Sequence, residues 1–193
     1  NSTIYFEEYS KIKTDIGWTL YKKNDNNIYI QAIGQSSQAP LISSIRLQRV
    51  DNVWDVKHAL LQVGKNNIDL TQNSNAQYQW NLNIHDPQAI FTQSSGDIIA
   101  YGGIQNMHST PTVNAKIHAN SFTINDYQVR NLQALLKLRI EPTTPLIADI
   151  TVEQLVIAQH HIENLQIKLN GDIGKHIITS KALFNKEIVL LNA

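Results

Sequence analysis

Histidine offers this chain its widest choice of chemistry, because the imidazole ring binds metals and transfers protons near neutral pH. His160 and His161 are adjacent at a predicted turn. Adjacent residues on a strand point to opposite faces, so we do not expect these two to share a metal. The spacing of the histidines therefore predicts no metal site. The seven histidines are His58, His85, His108, His118, His160, His161 and His176.

Known catalytic and cofactor-binding motifs are missing from the 193 residues. We find no glycine-rich phosphate loop, no nucleophile elbow, no HExxH motif and no EF-hand loop. Gly96 and the pair Gly102-Gly103 are not followed by a helical pattern, so they indicate a turn or a strand break and not a dinucleotide site. The carboxylates are scattered along the chain. The sequence therefore predicts neither an enzyme nor a cofactor-binding protein.

Charge and composition exclude further classes of function. Sixteen basic residues balance sixteen acidic ones, which gives no electrostatic reason to expect a nucleic-acid partner. The absence of cysteine excludes a disulfide scaffold and a Cys-ligated zinc. No apolar run reaches the roughly 20 residues that span a bilayer, and Asn1 does not open a signal peptide. We expect residues 1–193 to form one β-rich segment of a larger protein, with any anchor outside it.

Apolar and polar residues alternate through most of the chain, which is the pattern of half-buried strands. Residues 28–34 and 80–84 each predict one strand, and residues 41–63 predict two. Gly64 predicts a turn, because glycine adopts positive φ without strain. Residues 86–91 predict the one helix, of one or two turns, since Asp-Pro supplies an N-cap and a first-turn proline.

Residues 113–171 repeat one pattern after thirty-three residues. Ser121–Gln133 aligns with Gln154–Gln166, and both stretches end in Asn-Leu-Gln. A period of this size is typical of stacked or laterally added supersecondary units. Asn125-Asp126 in the first copy is a hairpin-turn signal. We therefore predict two hairpin units in this region and a continuing surface, not a single catalytic centre.

The second copy of the repeat also fits a helix. Leu155, Ala158, Ile162, Leu165 and Leu169 form an apolar seam at helical spacing, and no glycine or proline interrupts it. The corresponding part of the first copy carries the hairpin-turn signal. The repeat therefore favours strand, turn and strand over a helix.

Both copies change the phase of their alternation at the same place. The apolar positions shift after Val129 in the first copy and after Ile162 in the second. A shift of one residue turns every following side chain to the other face unless an extra residue is inserted. We therefore predict a β-bulge, or a change of strand partner, at Asn131 and at Asn164.

These patterns predict an all-β fold with about a dozen or more strands and at most one short helix. Most strands are apolar on one face only, and such a face has to be covered. Three arrangements remain open: a sandwich of two sheets, a closed barrel, or a trough lined by something other than protein. Bulges at matching places favour curvature. We expect an elongated, curled and mostly continuous sheet with an apolar concave lining.

Several degenerate motifs in a fixed order carry a resemblance to a known family. They are Val63–Ile68, Trp80–Ile84, Gly96 with Gly102-Gly103, Pro111–Ala115, the paired hydrophobic–Asn-Leu units, and Gly171 with His176. On these motifs residues 40–191 resemble the TamB family of the AsmA-like superfamily, and residues 1–39 match least well. The resemblance implies an internal or C-terminal periplasmic segment of a protein that an N-terminal helix anchors in the inner membrane. It also implies the curled sheet known as a β-taco.

The resemblance further implies a function in the Gram-negative cell envelope. The family is implicated in phospholipid movement between the inner and outer membranes, and in assembling outer-membrane proteins and autotransporters with its partner TamA. The first interpretation is thus a periplasmic bridge whose groove binds phospholipid acyl chains and supports outer-membrane biogenesis. The alternative is a chaperone that pairs an exposed sheet edge with an incoming strand. A third interpretation is a structural solenoid that fills its own core.

We predict the lining of the groove from the apolar positions of the alternating stretches. Open first and last strands also predict edge-to-edge self-association. The fourteen residues predicted to line the groove are Trp80, Leu82, Ile84, Val113, Ala115, Ile117, Leu132, Ala134, Leu136, Leu138, Ile150, Leu165, Ile167 and Leu169.

Overall fold

A computed structural model describes residues 2–5, 13–36, 39–106, 109–139, 146–172 and 175–192. His108 lies outside these residues. Among the helices described, none has the length and apolar character needed to cross a bilayer.

The described residues form fifteen strands and one short 3-10 helix. Long alternating stretches account for the strands, which reach thirteen residues in the repeated region. The strands are β1 (Ser2–Tyr5), β2 (Lys13–Asn24), β3 (Asn27–Ser36), β4 (Pro40–Val50), β5 (Val53–Val63), β6 (Asn66–Gln72), β7 (Tyr78–Ile84), β8 (Ser94–Gly96), β9 (Ile98–Gln105), β10 (Thr112–Ile124), β11 (Tyr127–Arg139), β12 (Leu146–Ile157), β13 (His160–Gly171), β14 (His176–Phe184) and β15 (Glu187–Asn192), and the 3-10 helix is η1 (Pro87–Ala89).

All fifteen strands belong to one antiparallel sheet. Fourteen follow one another in chain order from β1 to β15, and the short β8 lies off this path and pairs with β10. Within the described residues the sheet neither closes on itself nor stacks on a second sheet. The predicted fold class is therefore confirmed: the chain is all-β and forms one open, continuous sheet.

Tight turns connect the long strands, and the predicted turns are present. Gly64 has a φ of 59°, and Asn125 has a φ of 50°. Ala158, with a φ of 54°, turns the chain between β12 and β13. The strand–turn–strand prediction for the second copy is therefore confirmed, and the helical alternative is wrong.

The predicted helix after Asp86 is shorter than expected. Only Pro87–Ala89 is helical, and the Asp86 side chain makes no capping hydrogen bond. The buried Asn66 holds this segment instead: its Oδ1 accepts from the backbone N–H groups of His85 at 3.0 Å and Asp86 at 2.8 Å, and its Nδ2 donates to the Asp86 carbonyl oxygen at 2.6 Å. The chain is tied to the start of β6, which leaves little room for a longer helix.

The predicted strand break at Gly102-Gly103 is wrong. β9 runs through both glycines, because its backbone pairs with β7 on one side and β10 on the other. The break lies at Gly96, which has a φ of 98° and ends β8. A Cβ atom at Gly96 would lie 1.9 Å from the Ser121 carbonyl oxygen, so only glycine fits this close approach.

The predicted β-bulge or change of strand partner is present at Asn164, and the same prediction is wrong at Asn131. Both residues have positive φ, 48° and 50° respectively. At Asn164 the register between β13 and β14 shifts between Glu163 and Gln166, which is the predicted bulge. At Asn131 the register with β10 and β12 is unchanged on both sides of the residue.

The register survives at Asn131 because neighbouring strands change phase at the same level. Continuing the register places Asn120, Asn131, Glu153 and Asn164 side by side on β10 to β13. Direct pairing is interrupted at this line, which we call the seam, and the Asn131 amide donates to the Glu153 carboxylate across it. β14 runs past without a phase change, so the one-residue difference appears between β13 and β14.

Candidate functional site

The two faces of the sheet differ in chemistry, and strand register assigns residues to each. Residues directly opposite each other on paired strands point to the same face. We call the face that carries Val113, Ala115 and Ile117 the apolar face, and the face that carries Asn114 and Lys116 the polar face.

One row of cross-strand partners illustrates the extent of the apolar face. It crosses thirteen strands, from β2 to β15 without β8, and only two of its members are not hydrophobic. The row is Trp18, Ala32, Ser43, Leu61, Ile68, Leu82, Ala100, Ile117, Ala134, Ile150, Ile167, Ser180 and Leu191. With strands about 4.8 Å apart, thirteen strands extend over roughly 60 Å.

All fourteen residues predicted to line the groove lie on the apolar face. Ala115 and Ala134 are buried, Leu138 is 36% exposed, and the other eleven are half-buried. The small residues of this face are covered most completely: Ala119 is 0% exposed and Ala100 is 3% exposed. Larger neighbours close over the alanines, while their own outer surfaces stay in contact with solvent. The structure thus brings the predicted residues together, and their binding of lipid remains a prediction.

The seam does not interrupt the apolar face. Val129 and Leu132 lie on either side of it on β11, and both point to this face. On β13, Ile162 opposes Phe184 while Leu169 opposes Ile178, and both partners belong to the unshifted strand β14. The phase change therefore keeps apolar side chains on one face along the whole length of these strands.

No second layer of described residues covers the apolar face. No large side chain is fully buried among them. The accessible surface is 12970 Å², against about 9,300 Å² for a compact protein of 21.8 kDa. An uncovered apolar surface of this size is typical of a binding face. The solenoid with a self-filled core, left open by the sequence, does not describe this arrangement.

Sequence reasoning missed the first half of the apolar face. The face begins well before Trp80. A second row of cross-strand partners, on the same strands as members of the row above, consists of Ile30, Ile45, Ala59 and Leu70. A bulge between β4 and β5 obscured the pattern, because Arg46 opposes His58 whereas Leu47 opposes Val56. The sequence signal for this bulge is a change in the alternation: Val56 is apolar at an even-numbered position, whereas the apolar residues of the face that follow it are at odd-numbered positions.

A polar cluster interrupts the apolar face at one margin. The Lys57 ammonium donates to the Gln72 side-chain oxygen, and the Gln72 amide lies 3.2 Å from the Tyr78 hydroxyl. The Asp55 carboxylate lies 3.9 Å from the ammonium. Tyr78 is only 3% exposed, and burial, followed by the nearby Asp55 charge, raises the pKa of its hydroxyl. Sequence reasoning named none of these residues.

The polar face carries paired charges, with exposed apolar side chains such as Leu135 and Ile147 set among polar residues. Nε2 of His58 lies 2.8 Å from the Asp69 carboxylate, and the Arg46 guanidinium lies 5.6 Å from the centre of the Tyr29 ring. These contacts are typical of a solvated outer surface. Among the described residues, no group of three or more histidine or carboxylate side chains is placed to hold a metal.

Comparison with known proteins identifies a family for this sheet. A family model described as TamB, N-terminal domain, matches residues 25–185, which is 161 of the 193 residues. The matched model describes the N-terminal domain, whereas the resemblance pointed to an internal or C-terminal segment. No curated protein and no solved structure matches the chain. The chain therefore belongs to the TamB family of cell-envelope proteins.

Proposed function

We propose that the apolar face binds phospholipid acyl chains and carries them between the inner and outer membranes, in support of outer-membrane biogenesis. The observation that supports this most directly is the row of apolar partners across thirteen strands with no described layer over it. Family membership supports an envelope setting. We further propose that this segment lies in the periplasm and that the whole protein is anchored in the inner membrane.

Acyl chains match the apolar face chemically. Removing one CH₂ group from water contributes about 0.8 kcal/mol, so ten methylenes contribute on the order of 8 kcal/mol before ordering costs. This attraction has no directional demand. A bound chain can therefore move from one apolar position to the next without losing a specific hydrogen bond.

Transport of this kind needs no catalytic group. We propose that the protein is not an enzyme and uses no cofactor, since a continuous non-directional surface provides the whole path. Partners beyond lipid belong to the same proposal: the family's outer-membrane partner TamA would bind through a part of the protein other than these residues.

The alternative function is pairing with strands of outer-membrane proteins during their assembly. This function needs an unpaired strand edge, and within the described residues β15 pairs only with β14. Backbone hydrogen bonds would supply the affinity for an incoming strand. The same edge would also permit self-association of two copies. A proline in β15 should abolish this function, whereas a lipid path across the other strands should tolerate it.

Site-specific photo-crosslinking from the apolar face tests the proposed function. A photoreactive amino acid at Leu136 or Ile167 should capture phospholipid, identified by mass spectrometry. The matched controls are Lys137 and Lys168, which neighbour these residues in sequence and occupy the polar face. Capture of unfolded outer-membrane protein without phospholipid from the two apolar positions would overturn the lipid path and favour the alternative.

A further inference from the structure

A charged side chain, Lys57, lies on the apolar face, within the polar cluster at its margin. Lys57 shares this face with Gln72 and Tyr78, through the hydrogen bonds that join the three side chains. Its side chain is 26% exposed, and that of the neighbouring Asp55 is 14% exposed. Withdrawing charges from water in this way is costly unless they are paired or bind a ligand.

The contacts of Lys57 leave its ammonium able to bind an anion. An ammonium group has three N–H donors. Gln72 accepts one hydrogen bond from it, and the Asp55 carboxylate at 3.9 Å lies beyond hydrogen-bond distance. A phosphate oxygen would form a shorter, charge-assisted bond with the ammonium.

The position of the cluster relates it to the acyl-chain surface. Gln72 and Tyr78 are cross-strand partners at the ends of β6 and β7, and the adjacent row on the same face is the apolar pair Leu70 and Trp80. An anion at Lys57 would therefore sit at the margin of the sheet, with apolar surface beginning one row further in.

The two margins of the apolar face differ in the side chains that they carry. The margin with Lys57 also carries Lys22, the cross-strand partner of Ile28, which forms a salt bridge of 2.7 Å with Asp25. At the opposite margin, β5 and β7 end on this face in Val63 and Ile84. One margin thus offers ammonium groups, each beside a carboxylate, and the other ends in apolar side chains. A molecule with an anionic head and an apolar tail fits this difference.

We propose that the Lys57 ammonium binds the phosphate of a phospholipid whose acyl chains lie across the apolar face. The proposal rests on the proposed function and adds an orientation to it: headgroups follow the Lys57 margin, and acyl chains point to the opposite margin. Gln72 and Tyr78 position the ammonium, and Asp55 limits the net charge of the site.

Lipid binding by the full-length protein tests this orientation. The two ligands are a phospholipid and a diacylglycerol with the same acyl chains but no phosphate. Lys57→Gln should weaken phospholipid binding about tenfold, the effect of one charge-assisted hydrogen bond, and should leave diacylglycerol binding unchanged. Lys57→Arg keeps the charge and should retain most of the affinity for phospholipid.

The matched control and the opposing outcomes separate this inference from the proposed function. Lys116→Gln removes a lysine from the polar face and should change neither affinity. If Lys57→Gln binds phospholipid as tightly as the unmodified protein, or loses both lipids equally, the orientation is wrong and the acyl-chain path stands. If the unmodified protein binds neither lipid, the proposed function and the orientation both fail.

Discussion

Ile167 and Gln166 are sequence neighbours with opposite environments. Ile167 is half-buried on the apolar face between Ile150 and Ser180, whereas Gln166 is exposed. We expect Ile167→Arg to remove most phospholipid capture, because a guanidinium on this face places charge in the acyl-chain path. Crosslinked lipid per mole of folded protein measures the effect.

Gln166→Arg is the control for this substitution. It adds the same charge to the same strand on the opposite face, so it should leave lipid capture unchanged. Far-ultraviolet circular dichroism should give the same β-sheet spectrum for both variants. Equal loss of lipid from both variants would mean that charge anywhere on β13 is harmful, and that the apolar face has no special role.

The buried Tyr78 makes the free energy of unfolding depend on pH in the alkaline range. Burial raises the pKa of its hydroxyl above the ordinary value for tyrosine, so the folded protein holds this proton more tightly than the unfolded chain. The resulting stabilisation is complete below about pH 10 and is lost as pH rises through the folded-state pKa. In urea unfolding at pH 9 to 11, Tyr78→Phe should therefore lose stability less steeply than the unmodified protein. Parallel curves would contradict the assignment.

At the scale of the strand, Asn164 holds a backbone conformation that few residue types tolerate. Its φ of 50° is accessible to glycine and asparagine but strained for β-branched residues. We expect Asn164→Val to lower the free energy of unfolding by about 1–2 kcal/mol, and Asn164→Gly to change it by less than about 1 kcal/mol. Urea unfolding monitored by circular dichroism measures both. Equal losses would show that the asparagine side chain matters more than φ.

Strand β9 provides a second pair of neighbours for comparison. A Cβ atom on Gly102 would lie 1.9 Å from the Asn114 carbonyl oxygen and 3.0 Å from the Trp80 ring, whereas on Gly103 its nearest contact would be 3.3 Å away. Gly102→Ala should therefore cost about 2–3 kcal/mol of stability, and Gly103→Ala less than about 1 kcal/mol. Thermal or urea unfolding of the two variants checks the difference, and similar costs would contradict the steric explanation.

The strands and their apolar side could be predicted from the sequence, because alternate residues of a strand, such as Val113, Ala115 and Ile117, point to the same face. It failed where tertiary pairing overrides local signals. Gly102 reads as a strand break but lies inside a strand paired on both sides. Lys57 was not singled out from the sequence, because its place on the apolar face depends on a bulge between β4 and β5.

For the whole molecule, a continuous path behaves differently from a set of independent binding sites. Leu61 on β5 and Ile167 on β13 lie in the same apolar row, and six strands separate them in the sheet: β6, β7, β9, β10, β11 and β12. If lipids must pass both, Leu61→Asp or Ile167→Asp alone should stop transfer between donor and acceptor membranes. The double variant should transfer no less than either one.

Equilibrium lipid content should follow another rule. Each single substitution removes lipid only from the positions around it. The number of lipids retained should therefore fall partially in each single variant and further in the double variant. Native mass spectrometry counts retained lipids, and a fluorescence transfer assay measures passage. Transfer that falls in proportion to retained lipid would contradict a path in series and favour separate sites.

The seam across β10 to β13 has a consequence for how this protein tolerates insertions and deletions. Deleting Asn131 alone would turn Leu132, Ala134 and Leu136 outward while their neighbours on β10 and β12 still face inward. The four strands therefore depend on one another's register: each must keep its residue count relative to the seam. A residue lost from one strand is best restored by a compensating change in the strands beside it, so length variation should enter at the turns and not along the strands.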